Sequence, residues 1–429
     1  MVFQKRRIEC GTISALLALV LLGAASATGE ESRASLQELV REALAVNPGL
    51  EASRNDWRSA SAKVLPSALP PNPTLALGFG MIPSDDFGLG SAGMRTVSVS
   101  QRIPFPGKLY SRHRSAYHMA GAQEEMYRMK ERWIVWKVKD LYWALYAVHE
   151  TRAVTEEMRD LLRGLALLAE TKYAVGKGSA GDILKVQVEL ARMENDLFAL
   201  DNRLKTTEAR LNALLARPTD QRVGSLESPS LRPIRLKVEE LDSLALSRRP
   251  ELLAAREMAQ AASSAHMTSR MDYLPDFMVT VKQQNVDVGM DTWEVMFSTE
   301  IPLWMLFKEN KKLEETGASL ARARAYAEDA RSDALSMVES AYNRHDTARR
   351  TIDLYETGVI PQAEMSLMSA RAAYENDVSD FLSLLDAERS LLKFRLEYAM
   401  AQAEYERSIA ELEMVVGEDL PREPGGKDR

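Results

Sequence analysis

The residue types that most often carry catalysis or bind metals are few in this 429-residue sequence. The two closest of its five histidines, His113 and His118, are five residues apart, a spacing that does not bring two side chains to one face of a helix. The sequence contains no H-E-x-x-H, G-x-S-x-G or Walker motif. Its many carboxylates are typical of the solvated faces of long helices. We therefore predict that the protein is not an enzyme and holds no cofactor or resident metal.

Methionine is the abundant residue with distinctive chemistry, at 20 copies. A thioether is a ligand for soft metal cations, and it is also a flexible side chain that fills the core of a helical protein. Met126, Met129 and Met158 fall in helical stretches, which favours the core. Handling of soft metal cations stays open as the alternative.

The charge pattern excludes one class of partner and indicates a destination. The net charge is −7, and the chain has no basic cluster beyond residues 5–7, so we predict no nucleic-acid binding. That cluster precedes an apolar run from Ile13 to Ala25 and an A-x-A pattern ending at Ala27, the layout of a signal peptide over residues 1–27 that is cleaved near Ala27. The only cysteine, Cys10, precedes the run, where a lipidated cysteine would not sit. No later stretch approaches 18 consecutive apolar residues. We expect an exported protein, in the periplasm, secreted, or in the outer membrane as a β-barrel.

An internal repeat organises the chain. Residues 36–52 match residues 238–254 at an offset of 202, and the order of later matches is preserved at offsets of 198 to 202. Ile103-Pro104 corresponds to Ile301-Pro302, and Tyr173 corresponds to Tyr374. We predict a first repeat over 33–218, a linker over 219–235, a second repeat over 236–417 and a disordered tail over 418–429.

Each repeat has the same internal plan. One helix comes first, at about 35–64 and 237–271, and ends near prolines. A β-hairpin follows, at about 74–101 and 277–300. The repeat then closes with long helices over 107–216 and 307–417, rich in good helix formers and carrying leucines at spacings of three and four. A helix of about 60 residues would span roughly 90 Å.

The hairpin segments alternate between one apolar and one polar face, the pattern of half-buried strands. Trp293, Val295 and Phe297 represent the apolar face. Lys282, Glu294 and Glu300 lie opposite, and their charges favour a wet lumen. Two readings remain open: a small sheet packed on helices, or strands pooled by several subunits into one closed barrel with apolar faces toward lipid.

Three motifs resemble those of a known family. The stretch from Val99 to Lys108, which contains Ile-Pro-Phe-Pro-Gly-Lys, is similar to the strand-to-helix signature of the TolC family of outer-membrane efflux proteins. The stretches Tyr173–Leu184 and Tyr374–Ala387 resemble the family's helix-hairpin tips. The resemblance covers about 36–417. It implies a mainly α fold with a small β part, in which a homotrimer builds a 12-stranded transmembrane β-barrel and a long coiled-coil tunnel through the periplasm.

The same resemblance implies a function and partners. Such proteins are passive exit ducts in outer-membrane lipid, and they dock through a periplasmic adaptor onto an inner-membrane transporter of RND or ABC type. Members with the Ile-Pro-Phe-Pro-Gly-Lys type of signature include heavy-metal efflux ducts. The competing hypothesis is a periplasmic coiled-coil scaffold with small sheets and no pore, which has no reason to place an apolar face opposite charge.

The resemblance also nominates site residues. Asp386, in Leu385-Asp386-Ala387, matches a family position that narrows the periplasmic entrance, whereas Ser383 replaces the second acidic position. The alternative for Asp386 is a solvated helix face. The adaptor would contact the hairpin tips, for which the alternative is an ordinary helix-hairpin turn. The tip residues are Val175, Gly176, Ser179, Asp377 and Ser379.

Overall fold

The computed structural model describes residues 35–85, 88–234, 236–301 and 303–422. The predicted signal peptide lies outside the described residues. The two repeats contribute helices to one elongated body and two strands each to one sheet. None of the helices in these ranges combines the length and the hydropathy needed to cross a membrane.

The described residues of the first repeat form five α-helices, of which the fourth is the longest at 67 residues, or roughly 100 Å. They are α1 (Leu36–Val46), α2 (Pro48–Ala62), α3 (Val64–Ser67), α4 (Lys108–Ala174) and α5 (Ala180–Leu214). The second repeat also contains five: α6 (Val238–Arg248), α7 (Pro250–Met271), α8 (Glu309–Leu354), α9 (Ile360–Glu375) and α10 (Phe381–Val416).

The single helix predicted at the start of each repeat is wrong, because the chain breaks it in both places before a proline. Asn47 is extended, and its side chain accepts a hydrogen bond from the N–H of Leu50 at 3.2 Å, so it caps α2 while Pro48 takes the first helical position. Arg249 is likewise extended before Pro250. The ring of a proline disfavours helical geometry in the residue before it, yet fits the first turn of a new helix.

The long helices differ between the repeats. Helix α4 runs without a break, whereas its counterpart in the second repeat passes through a π-helical turn at Tyr355–Val359 between α8 and α9. Pro361 follows immediately, at the start of α9. Because proline lacks an N–H and clashes with the preceding turn, a wider π turn accommodates it without ending the helical path.

One antiparallel sheet joins the repeats, with its strands in chain order. The strands are β1 (Thr74–Gly80), β2 (Met94–Ile103), β3 (Asp276–Val286) and β4 (Thr292–Glu300). The hairpins β1–β2 and β3–β4 are those the sequence predicts. The pairing of β2 with β3, from Met94 opposite Val286 to Ile103 opposite Phe277, fuses them.

The buried core lies in the helices. One cluster packs α1 against α4 and α5 around Tyr142 and Leu211, and another packs the α4–α5 hairpin against α9 and α10 around Leu162 and Leu384. The disordered tail predicted from residue 418 is wrong for its first five residues. Leu420 is buried, and Arg422 forms an ion pair with Glu406 at 2.7 Å. The rest of that tail lies outside the described residues.

Candidate functional site

The sheet presents one continuous apolar face. Leu75, Val99, Val281 and Val295 form one row across all four strands. Side chains on this face are open to solvent, to 72% in Trp293 and 79% in Phe297. No helix among the described residues covers them, so this face must meet something outside the single chain.

The opposite face of the sheet is polar. Lys282 lies across from Glu294, with 3.5 Å between the ammonium nitrogen and a carboxylate oxygen. The hydroxyls of Ser100 and Thr280 are hydrogen-bonded at 2.9 Å. Glu300, at the end of β4, pairs with Arg102 on the same face. The three residues predicted to line a lumen therefore share the polar face.

The first hairpin tip is the turn between α4 and α5. Gly176 adopts a positive φ of 76°, a conformation that favours glycine. A Cβ on Gly178 would lie 2.8 Å from the backbone nitrogen of Tyr173, so that glycine permits a close approach of backbone. The Ser179 hydroxyl caps α5 by accepting a hydrogen bond from the N–H of Gly181 at 3.0 Å. Val175 is exposed. The tip thus combines a well-defined turn with an exposed apolar side chain.

The second tip, between α9 and α10, is joined to the first by ion pairs between side chains. Asp377 occupies the position of Gly176 and also has a positive φ, 63°. One carboxylate oxygen accepts from the buried Lys172 and the other from Lys177 at 2.9 Å. These hydrogen bonds hold the pKa of Asp377 below its usual range. Lys172 also donates to the carbonyl of Tyr374.

The sequence analysis did not predict that Lys172 and Lys177 contact the second tip. A signal existed: an aspartate stands in the second repeat where the first has glycine, and aspartate is one of the residues that tolerate a left-handed turn. Ser379 lies beside Asp377 in the same turn, partly exposed.

Asp386 lies on the open side of α10. Its side chain is 63% exposed, and its carboxylate is 3.7 Å from the guanidinium of Arg389. It lines a groove between α9 and α10 together with serines at positions 366, 369, 383 and 390. Most of the other residues that line the groove are small, and Val359 and Phe394 add apolar surface to it. Leu385 is fully buried on the other side of the helix, so the carboxylate points away from the chain's own core.

A buried carboxylate also went unnoticed in the sequence. Glu388 is fully buried, and neither of its carboxylate oxygens has a hydrogen-bond partner among the described residues. Burial, with a smaller contribution from the nearby Glu189, raises its pKa to about 7. Glu189 is itself paired with Arg389. The signal was positional, because residue 388 continues the inward stripe that runs through Phe381, Leu384 and Leu391.

The comparison with known families matches this architecture. The model of the family "Outer membrane efflux protein" matches the chain twice, over residues 39–217 and 241–418. The chain combines paired helical hairpins with a sheet that has one apolar and one polar face and that no described helix covers. This combination is typical of outer-membrane channel proteins with a long helical extension. The chain belongs to the outer membrane efflux protein family. This confirms the predicted family, the mainly helical fold with a small β part, the channel function and the outer-membrane location, and the family is one of channels rather than enzymes.

Individual relatives are distant in sequence. The chain is 22% identical to the "Probable outer membrane lipoprotein SilC" of Salmonella typhimurium, over 74% of this chain and 70% of that protein. It is 22% identical to the "Cobalt-zinc-cadmium resistance protein CzcC" of Cupriavidus metallidurans, over 65% and 66%. It is 24% identical to the "Cation efflux system protein CusC" of Escherichia coli, over 60% of this chain but only 54% of that protein.

Solved structures share the fold more completely. The outer membrane protein VceC of Vibrio cholerae superposes with a TM-score of 0.78 at 20% identity, covering 90% of this chain and 96% of VceC. CusC superposes with a TM-score of 0.72 at 18% identity, over 93% and 96%. The Campylobacter jejuni CmeC outer membrane channel gives 0.74 at 15% identity, over 96% and 94%.

Proposed function

We propose that three copies of the chain assemble into one passive exit duct, without catalytic activity of its own. Their sheets would pool into a 12-stranded barrel across the outer membrane, and their helices would continue it as a tunnel through the periplasm. The observation that carries this proposal is the apolar face of the sheet, which no described element covers. The strands at the sheet edges, β1 and β4, also keep one side unpaired within the described chain. Closure with neighbouring copies satisfies both edges, because only a closed sheet has none.

Assembly and location are tested together. The mature protein should fractionate with outer membranes and run as a trimer that dissociates on heating. Recovery in the soluble periplasmic fraction would contradict the channel and favour the alternative, a coiled-coil scaffold without a pore. The predicted repeats, linker and lumen residues are part of this proposal. In the barrel, Lys282, Glu294 and Glu300 would face the water-filled interior.

The tips are proposed as the docking surface for a periplasmic adaptor, which connects the duct to an inner-membrane transporter of RND or ABC type. Val175, Gly176, Ser179 and Ser379 form this surface. Asp377 contributes to it by fixing the two tips to each other, since both of its oxygens are engaged. Gly176→Trp adds bulk where no atom lies within 4 Å of a new Cβ, but it also strains the left-handed backbone at this position, so trimer formation by the variant is verified first. Export should fail while trimers persist, and normal export would contradict docking here.

Asp386 is proposed as the charged residue of the periplasmic entrance. In a trimer, one exposed carboxylate becomes a ring of three, which narrows the entrance, raises the local negative potential and attracts cations. Asp386→Ala should increase single-channel conductance in a planar bilayer and weaken block by divalent cations from the periplasmic side. Asp196→Ala, which removes an exposed carboxylate from α5, serves as the control. If both variants conduct like the wild type, Asp386 is only a solvated surface charge.

The proposed cargo is a heavy-metal cation. The support is that two relatives of the chain are a cobalt-zinc-cadmium resistance protein, CzcC, and a cation efflux system protein, CusC. The test expresses the protein with its neighbouring transporter genes in a strain that lacks its own outer-membrane efflux channels. Growth in cobalt, zinc, cadmium, copper and silver salts is compared with growth in dyes and antibiotics. Resistance restricted to the organic compounds would overturn the metal assignment.

A further inference from the structure

The segment between β4 and α8 is an exposed apolar stretch that lies outside the strands of the sheet. Ile301, Leu303, Trp304, Leu306 and Phe307 are between 63% and 79% exposed. We call residues 301 and 303–307 the apolar foot. Its counterpart in the first repeat, residues 104–107 between β2 and α4, reads Pro-Phe-Pro-Gly and carries a single aromatic ring. The foot is therefore a feature of the second repeat alone.

The foot has a defined backbone conformation. The N–H groups of Phe307 and Lys308 both donate to the carbonyl of Trp304 at 2.9 Å. The N–H of Leu303 donates to Ile301 at 2.9 Å, and that of Asn310 donates to Met305 at 3.0 Å. These hydrogen bonds form two consecutive turns from which large apolar side chains project outward. Exposure of these side chains to water is unfavourable unless they contact another apolar phase.

The position of the foot identifies that phase. It begins directly after Glu300, the last residue of β4, and Ile301 continues the alternation of Val295 and Phe297 on the apolar face of the sheet. The foot therefore extends the apolar face at the end of the sheet where the helices begin. In the proposed duct, this is the level at which the barrel leaves the membrane on the periplasmic side.

Two cations border the foot without a carboxylate partner among the described residues. Arg112 on α4 and Lys308 line one cavity with Trp304 and Phe307, and five carboxylates line the same cavity. Asp272 and Asp276 pair with Lys108, Glu300 pairs with Arg102, and Glu315 pairs with Lys312, whereas Glu309 has no ion pair among the described residues. The neighbouring lysines are engaged, Lys311 with Glu314 at 2.7 Å and Lys312 with Glu315 at 2.9 Å. An apolar surface edged by unpaired cations is complementary to a phospholipid, whose acyl chains adjoin a phosphate.

We propose that the apolar foot inserts into the inner leaflet of the outer membrane, and that Arg112 and Lys308 bind the phosphate of a phospholipid headgroup there. This inference rests on the proposed duct, because it takes the sheet to lie in the membrane. It adds an anchor on the second repeat only, so a trimer would carry three feet around its periplasmic rim.

Depth measurements test the foot and the duct separately. The only cysteine of the chain, Cys10, lies in the predicted signal peptide, so one engineered cysteine in the mature protein can be labelled with the environment-sensitive fluorophore NBD. Labels are placed at Leu306→Cys in the foot, at Val295→Cys on the apolar face of the sheet, and at Tyr326→Cys on α8. Tyr326 is exposed and lies roughly 30 Å further along the chain's helical path. Trimers are reconstituted into vesicles of phosphatidylethanolamine and phosphatidylglycerol that contain nitroxide-labelled lipids.

The foot and the sheet should both lose most of their emission to the lipid nitroxides, while the label at Tyr326→Cys keeps its emission. Quenching at Val295→Cys without quenching at Leu306→Cys would overturn the foot and leave the duct intact. Absence of quenching at both positions would overturn the duct itself.

Native mass spectrometry tests the headgroup contact. Arg112→Gln combined with Lys308→Gln should reduce the number of phosphatidylglycerol molecules retained by the trimer. The matched control, Lys311→Gln combined with Lys312→Gln, removes the same number of charges from lysines that already have partners and should retain lipid like the wild type. Equal lipid retention in the two double variants would overturn the role of Arg112 and Lys308.

Discussion

The helical body buries its apolar side chains within one chain, whereas the sheet leaves them exposed. In the body, apolar side chains recur every three or four residues and meet the stripes of neighbouring helices within one chain, so that Leu384 is completely buried. In the sheet, they alternate with polar residues on strands that no described helix covers, and Phe297 is 79% exposed. The body can therefore reach its packing as a single chain, whereas the sheet depends on other copies and on lipid.

The difference also separates what each region is built to do. A body with its own core can hold its tips in a fixed relation, as the link from Lys172 to Asp377 shows. A sheet without a core carries two usable faces, one for lipid and one for water. Four experiments test this contrast, in order of decreasing expected effect.

Truncating a core side chain of the body should have the largest effect. Leu384→Ala leaves a cavity among α4, α9 and α10 and should lower the free energy of unfolding by about 2–5 kcal/mol. Leu382→Ala, two residues away and 45% exposed, should change it little. Urea unfolding followed by circular dichroism measures both. Equal losses would mean that the body is not packed within one chain as described.

A charge introduced on the apolar face of the sheet should have the second-largest effect. Val295→Arg should cost roughly 2–4 kcal/mol if the residue lies near the midplane of the membrane, and less near an interface. Ser298→Arg places the same side chain on the polar face and should be tolerated. The yield of heat-resistant trimer compares them. Equal damage from both substitutions would refute the assignment of the faces.

The third experiment measures how the stability of the helical body depends on pH through the buried Glu388. The folded-state pKa of Glu388, about 7, is above its usual value of 4.5, so the folded state holds the proton more tightly than the unfolded state. The neutral carboxyl is tolerated at low pH, and stability falls as the pH rises from about 4.5 to 7. Glu388→Gln should therefore stabilise the protein at pH 8, by up to about 3 kcal/mol, and hardly at pH 4.5.

Thermal unfolding of the Glu388→Gln variant and the wild type across this range measures the effect. Asp386→Asn, an exposed neighbour on the same helix, is the control for simple loss of charge. A Glu388→Gln benefit that is the same at every pH would contradict the buried ionisable position.

The smallest effect is expected at the tips. Asp377→Asn keeps a residue that tolerates the left-handed turn but removes the charge that Lys172 and Lys177 contact. Because the folded-state pKa of Asp377 is lowered, its contribution is present above the usual value of 3.8 and is lost as the pH falls through the lower folded-state value. A slightly lower Tm at neutral pH, converging with the wild type in acid, is expected. A gap in Tm that persists in acid would assign the effect to the turn and not to the ion pairs.

Much of the fold could be predicted from the sequence, because its strongest signals are local and periodic. The near-constant offset between the halves revealed the repeat, and the alternation at Trp293, Val295 and Phe297 revealed a strand with two faces. The breaks before Pro48 and Pro250 were missed, although proline at a first helical position is also a local signal. The candidate site was predictable only in outline. Asp386, Gly176 and Lys282 could be nominated as positions, but their partners could not.

The sequence by itself determined the elements and their faces, since helical and strand periodicity depend only on neighbours along the chain. The tertiary structure alone decided which groups meet across about 200 residues. It pairs β2 with β3, brings Asp377 to the lysines of the other tip, and buries Glu388 within electrostatic reach of Glu189. Such contacts depend on the rotation and register of whole helices against one another. Many residues fix these jointly, so no local pattern encodes them.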